Sequence, residues 1–201
     1  KAVILNYPSN PTGREYPQEV LAGLAEVIKK HHLYAIADEI YSELVYGVEH
    51  YSIATMIPER TIFISGLSKS HAMTGYRLGY VAAPAKIMAN ISKMHAFLVT
   101  TVTNNVQVAA AEALTNGLDD PLEFRKIYQH RRDLLVAGLK KLGFEMLTPE
   151  GAFYLFAKIP AQFGTDDVAF AKQLAKEAKV GVTPGSAFGK GGDGYVRLSY
   201  A

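Results

Sequence analysis

Along the first part of the chain, short apolar runs alternate with stretches in which apolar residues recur every three or four positions. Val3-Ile4-Leu5 reads as a short buried strand. Asn10-Pro11-Thr12-Gly13 is a turn, because proline fixes one backbone angle and glycine permits the next. Pro17 stands at a helix start, and Val20, Leu21, Leu24, Val27 and Ile28 follow at helical spacing. Leu33 to Ala37 and Thr61 to Ser65 are further strands, and Tyr80 to Ala83 is another that ends at Pro84. Strands alternating with helices predict an α/β fold with a mostly parallel sheet carrying helices on both faces.

Beyond Pro84 the helical period dominates. Ile87 to Leu98 and Val106 to Leu114 are expected helices, and Asp120-Pro121 opens a long one that reaches about Leu142 and closes at Gly143. The pattern then shifts to short strands at Phe144 to Leu147 and Ala152 to Ala157. A helix follows from Asp166 to Lys179, acidic at its start and basic at its end. Strands at Val180 to Val182 and Tyr195 to Ser199 complete a smaller α+β domain. We place the boundary inside the long helix, between about 118 and 130, which assigns residues 1–120 to the large domain and 121–201 to the small one.

Composition narrows the function only by exclusion. The 201 residues are 49% hydrophobic and 20% charged, with a formal net charge of +2. That is ordinary for a globular chain, and no basic stripe points to nucleic acid. There is no cysteine, so disulfides and thiolate metal sites are out, and a reducing cytoplasm is the expected setting. No apolar run has membrane-spanning length, and no leader is expected. Both ends run straight into strand-like residues, which suggests a stretch of a longer chain. His31-His32 fit a helix end, and no His or carboxylate spacing makes a metal site. Gly191-Gly192-Asp193-Gly194 is a loop rather than a phosphate cradle.

Three polar segments stand where predicted strands end, the edge at which open α/β sheets bind ligands. They are Asn10-Pro11-Thr12-Gly13, Asp38-Glu39-Ile40-Tyr41 and Gly66-Leu67-Ser68-Lys69. Each has an ordinary explanation alone: a turn, a helix cap, a surface lysine. Together they place an amide, a carboxylate, a phenol and an amine on one crevice. Gly66-Leu67-Ser68-Lys69, with Arg77 eight residues after the lysine and Gly79 two beyond that, resembles the cofactor-attachment signature of the class I/II aminotransferases, fold-type I enzymes that use pyridoxal 5'-phosphate (PLP). The other segments stand in family order. Pro184-Gly185-Ser186-Ala187-Phe188-Gly189 and Val196-Arg197-Leu198-Ser199 follow downstream, so the resemblance spans the whole chain.

The resemblance implies roles. Lys69 forms the Schiff base with PLP and serves as general base and acid at the substrate α-carbon. Asp38 keeps the pyridine nitrogen protonated. Tyr41 and Asn10 meet the ring oxygen, Asn10 also facing substrate. Arg77, with Ser68 beside it, holds the phosphate, and Arg197 grips the substrate carboxylate bidentately. Where some relatives have serine this chain has Gly66, and Ser65 could stand in. Phe153 and Tyr154 read first as packing, with a place at the substrate entrance open to them. His71 receives no role. The implied fold is an incomplete PLP-transferase large domain plus a truncated small domain, because full-length relatives carry an N-terminal half with a phosphate-binding helix N-terminus. The implied activity is transamination between an L-amino acid, aromatic by preference, and a 2-oxo acid, in a homodimer, with the isolated stretch inactive. Alternatives are a PLP carbon–sulfur lyase of the same fold and a PLP-sensing domain of a transcription regulator.

Overall fold

A computed structural model describes residues 1–201. Two four-stranded sheets organise it. The first contains β1 (Ala2–Asn6), β2 (Tyr34–Asp38), β3 (Thr61–Gly66) and β4 (Gly79–Ala82), in the order β1-β2-β3-β4. The first three strands are parallel, with Leu5 beside Ala37 and Ala37 beside Phe63. β4 returns antiparallel to β3. The expected mostly parallel sheet is therefore present, with one reversed edge strand.

Between β1 and β2, α1 (Gln18–Lys30) lies across one face of this sheet and buries Leu21, Ala25 and Ile28 against Leu5, Ala35 and Ala37. Tyr7, Ile53 and Ile57 complete that core, Ile53 from the single turn α2 (Ile53–Met56). The side chains of β1 alternate, as the pleat demands. Leu5 points into the core while Ile4, on the opposite face, stays 72% exposed.

β3 runs directly into the single turn α3 (Leu67–Ser70), which carries the lysine of interest. Two longer helices follow β4, α4 (Ala85–Leu98) and α5 (Asn104–Asn116). α5 buries Ala110 against Leu67 and Met73, but α4 buries nothing. α6 (Asp120–Lys141) starts with Pro121 in its first turn. It ends as its glycine predicts: Gly143 takes a φ of +84°. The Gly143 amide then donates to the Lys140 carbonyl at 3.1 Å and the Phe144 amide to the Leu139 carbonyl at 3.1 Å, the paired bonds of a Schellman close.

The second sheet is antiparallel and contains β5 (Glu145–Met146), β6 (Tyr154–Lys158), β7 (Thr183–Pro184) and β8 (Tyr195–Ser199), in the order β5-β6-β8-β7. α7 (Asp167–Glu177) packs Phe170 against Ile159 and Val196, and the Asp166 carboxylate caps it by accepting from the Ala169 amide at 2.8 Å. The strand expected at Val180 to Val182 is not there. The Ala178 and Val180 amides both donate back to the Leu174 carbonyl, and Lys179 takes a φ of +60°. The chain is thus still leaving the helix, and pairing begins only at Thr183.

Residues 149–152 wedge between segments of the first half. The Gly13 carbonyl accepts from the Glu150 and Gly151 amides at 2.8 and 2.9 Å. The Tyr46 amide donates to Glu150 and the Ala152 amide to Leu44, at 2.8 and 2.9 Å. Arg132 of α6 donates to the Pro149 carbonyl at 2.9 Å and lies over the Tyr46 ring. This stitching makes one buried cluster of Tyr41, Leu44, Ala152 and Tyr154, and it fixes how β6 faces the end of β2.

Candidate active site

The polar segments converge as the topology requires. β1 and β2 are parallel neighbours, so their C-terminal residues Asn6 and Asp38 stand side by side in register. The Asn6 carboxamide donates to an Asp38 carboxylate oxygen at 3.0 Å, and its oxygen accepts from the Asn10 amide at 3.2 Å. Asn6 thereby ties the carboxylate to the Asn-Pro-Thr-Gly turn. Sequence reasoning passed over it, although its place as the last residue of β1 was a usable signal.

Asn10 itself reaches the other sheet. Its side-chain oxygen accepts from Arg197 Nη1 at 2.8 Å, and Arg197 Nη2 donates to the Thr183 hydroxyl at 3.2 Å. The guanidinium lies 4.4 Å from the centroid of the Tyr154 ring and 5.0 Å from that of Phe188. Its Nε is buried with no partner in the chain. Arg197 is therefore oriented on three sides.

Lys69 sits half-buried at the end of β3, with Nζ 5.9 Å from the centroid of the Tyr41 ring and 5.8 Å from that of Phe153. It takes part in none of the ion pairs of the chain. Tyr41 is buried, and its hydroxyl donates to the Tyr154 hydroxyl at 3.0 Å. Burial, and next the hydrogen bond to Tyr154, raise the Tyr41 pKa well above that of a free phenol, so it stays a neutral donor.

Arg77 adopts the left-handed conformation, φ +55°, at the end of the turn after Lys69. Thr74 organises that turn: its hydroxyl donates to the Ser68 carbonyl at 2.7 Å, and its own carbonyl accepts from Arg77 Nη1 at 2.9 Å. Arg77 is exposed, and Ser68 is held through its carbonyl. Ser65 is buried, with its hydroxyl directed at the Glu39 carbonyl at 3.4 Å. Gly66 has a packing reason: a Cβ there would come within 2.9 Å of Gly79 Cα and 3.0 Å of the Leu78 carbonyl. His71 is structural, bridging the Ser70 hydroxyl and the Gly117 carbonyl.

A second polar cluster lies behind the crevice. Glu39, 1% exposed, turns inward while Asp38 faces the site. Its carboxylate receives the Tyr7 and Ser52 hydroxyls, both at 2.8 Å, and His50 Nε2 at 2.9 Å. His50 Nδ1 meets buried Glu15 at 3.2 Å. Burial pulls the imidazole pKa down, but the bonds to Glu15 and Glu39 outweigh it and lift it to about 9. No local spacing in the sequence announces this cluster.

The donor set suits a flat, anionic aldehyde cofactor such as PLP. An amine without an acid partner lies close to two aromatic rings, a carboxylate stands at the neighbouring strand end, and a neutral phenol lies alongside. The Nε of Arg197 is buried and has no partner in the chain, while its two terminal nitrogens are engaged by Asn10 and Thr183.

Comparison with known proteins identifies the family. The family model described as aminotransferase class I and II matches residues 1–201. A probable N-acetyl-LL-diaminopimelate aminotransferase of Bacillus subtilis is 45% identical over 201 residues, covering 100% of this chain and 51% of that protein. An aspartate aminotransferase of Pyrococcus abyssi is 43% identical over 206 residues, covering 100% and 53%. The crystal structure of an aromatic aminotransferase from Pyrococcus horikoshii superposes with a TM-score of 0.95 at 42% identity, covering 100% of this chain and 55% of that one. The chain spans about half the length of the curated relatives it matches. No helix is long and apolar enough to cross a membrane.

Proposed function

Since this chain belongs to the class I and II aminotransferases, we propose that it carries the anchoring half of a PLP-dependent site for amino transfer between an L-amino acid and a 2-oxo acid. The observation that carries the proposal is the joint placement of Lys69 near Tyr41 and of Arg197 on Asn10, with Asn6 joining Asn10 to Asp38.

When bound, PLP supplies an electron sink for the pair left at a substrate α-carbon. In this reading Lys69 holds the cofactor aldehyde, then takes and returns the proton at the substrate α-carbon. Asp38 would keep the ring nitrogen protonated, Tyr41 and Asn10 would meet the ring oxygen, and Arg77 with Ser68 would hold the phosphate. Arg197 grips the α-carboxylate through its planar fork, and Asn10 sets the angle of that fork. Residues 1–120 thus supply the cofactor groups and residues 121–201 the substrate arginine. We assign aromatic amino acids as preferred donors and a homodimer as the working form. The complete turnover belongs to a protein of the relatives' length.

Borohydride trapping tests the reading. The purified chain is expected to gain the mass of one reduced PLP on Lys69, and Lys69→Ala to gain none there. Trapping at other lysines with Lys69 unmodified would sink the assignment. The 201-residue chain alone is expected to transaminate far below the rate of a full-length relative, and a normal rate would refute the division of labour. In a protein of the relatives' length that contains this stretch, a donor panel in which aromatic amino acids rank no better than aspartate or alanine would remove the substrate preference. Ammonia and pyruvate released without an oxo-acid acceptor would favour a lyase instead.

A further inference from the structure

Tyr154 touches two groups that the reaction needs and that no other single residue joins. The register of the second sheet explains how. β6 and β8 pair Phe156 with Arg197 and Tyr154 with Ser199. Directly paired residues share a face, and so do residues two apart on one strand. Tyr154 and Arg197 are therefore diagonal neighbours on one face, close enough for a ring and a long side chain to meet. They do meet, with the guanidinium 4.4 Å from the ring centroid. The tip of the same ring passes out of the sheet to the Tyr41 hydroxyl, 3.0 Å away, at the end of β2.

These contacts use different parts of Tyr154. The ring face supports Arg197 through cation–π attraction, which strengthens where water is excluded. Tyr154 is buried, and so is the Arg197 Nε. The hydroxyl shares one hydrogen bond with Tyr41. Each phenol can donate or accept, so the direction of the bond can reverse. When Tyr41 donates to Tyr154, its own proton is engaged. When Tyr154 donates to Tyr41, the Tyr41 proton is free for an acceptor in the crevice.

We infer that Tyr154 is a positioning residue that couples the two halves of the site. Its ring holds Arg197 for the substrate carboxylate, and its hydroxyl decides whether the Tyr41 proton faces the core or the crevice. The inference rests on the proposed transaminase reading for the purpose of these groups, and on the geometry alone for the coupling. An acceptor placed against Tyr41 selects the reversed bond, and the same ring keeps the arginine in place meanwhile.

The test uses the 201-residue chain labelled on arginine and tyrosine, without cofactor, titrated with 3-phenylpropionate as an aromatic carboxylate. Tyr154→Phe is expected to keep the dispersed Arg197 Nε–Hε resonance and the carboxylate midpoint within about twofold. It is expected to shift the Tyr41 Cζ resonance, because only the hydroxyl is lost. Tyr154→Leu is expected to move the Arg197 resonance toward that of a free arginine and to weaken the carboxylate roughly 2- to 30-fold. An unchanged Arg197 resonance in Tyr154→Leu, or an unchanged Tyr41 resonance in Tyr154→Phe, overturns the coupling. If Tyr154→Leu does not fold, the Tyr154→Phe arm decides: it must spare Arg197 and move Tyr41. Failure of the unsubstituted chain to bind the carboxylate overturns the substrate role of the arginine. Borohydride trapping, run separately, reports on Lys69, so failure of the transaminase reading stays distinguishable from failure of the coupling.

Discussion

The side-chain oxygen of Asn10 accepts a hydrogen bond from Arg197 Nη1 at 2.8 Å, across 187 residues of chain. The contact joins a turn after the first strand to the last strand, so the Arg197 guanidinium is oriented from the parallel sheet. Arg197→Lys keeps the charge and loses the fork. A charge-assisted hydrogen bond contributes about 1.5–3 kcal/mol, so carboxylate binding is expected to weaken roughly 10- to 100-fold. Asn10→Ala, which removes one oriented bond, is expected to have a smaller effect in the same titration. Equal binding by Arg197→Lys and the unsubstituted chain would remove the bidentate role.

His50 makes stability depend on pH in a defined direction. Its folded pKa, about 9, lies above the ordinary value of 6.5. The stabilisation is therefore fully present below about pH 6.5 and is lost as pH rises through about 9. At full effect it amounts to about 3–4 kcal/mol. The groups facing the ring are Glu15, Glu39 and the stacked Tyr7. Urea unfolding at pH 5.5, 7.5 and 9.5 should show stability falling across the series, and His50→Gln should flatten the fall. A parallel fall in both proteins would assign the dependence elsewhere.

Gly13→Ala should release the turn that carries Asn10. Gly13 has a φ of +66°, and an added Cβ would lie 2.6 Å from Pro149 Cβ and 3.0 Å from the Gly151 carbonyl. Left-handed strain and the clash add, at about 1–3 kcal/mol. The expected result is a lower unfolding midpoint together with a displaced Arg197 resonance. An unchanged midpoint would show that the wedge of residues 149–152 yields freely.

The fold was largely legible in the sequence. β-branched runs and helical spacing locate β1 to β3 and α1, because local periodicity reports which face of an element is buried. Gly143 and Asp166 locate helix ends through their own backbone and capping chemistry. Lys69, Asp38 and Arg77 stand as candidates because the motifs that carry the family resemblance are local. What stayed hidden depends on partners far along the chain. The diagonal of Tyr154 and Arg197 exists only once the register of β6 on β8 is set. The His50, Glu15 and Glu39 cluster needs three segments brought together. Asn6 is marked in the sequence only by its place at the strand end, and its partner Asp38 appears when β1 and β2 lie side by side. The misplaced strand at Val180 to Val182 has the opposite cause: a local apolar run was read as pairing while its amides were still engaged by the preceding helix.

The helix α4 and its neighbour present apolar side chains to water. Phe97 is 90% exposed, Leu98 75%, Val108 69% and Met94 60%. A patch of this kind drives association. The purified chain is expected to self-associate and to bind a hydrophobic dye, and Phe97→Glu with Leu98→Lys should lower both signals. A dye-silent monomer from the unsubstituted chain would contradict this.

Arg197 stands on β8, which is hydrogen-bonded on one side to β6 and on the other to β7. An interior strand cannot slide without breaking two ladders. On the proposed role of Arg197, the carboxylate end of a substrate would be measured from a fixed datum. Preference among long, short, charged or aromatic side chains would then be set by moving walls at the far end of the ligand, without re-surveying where the amino acid begins.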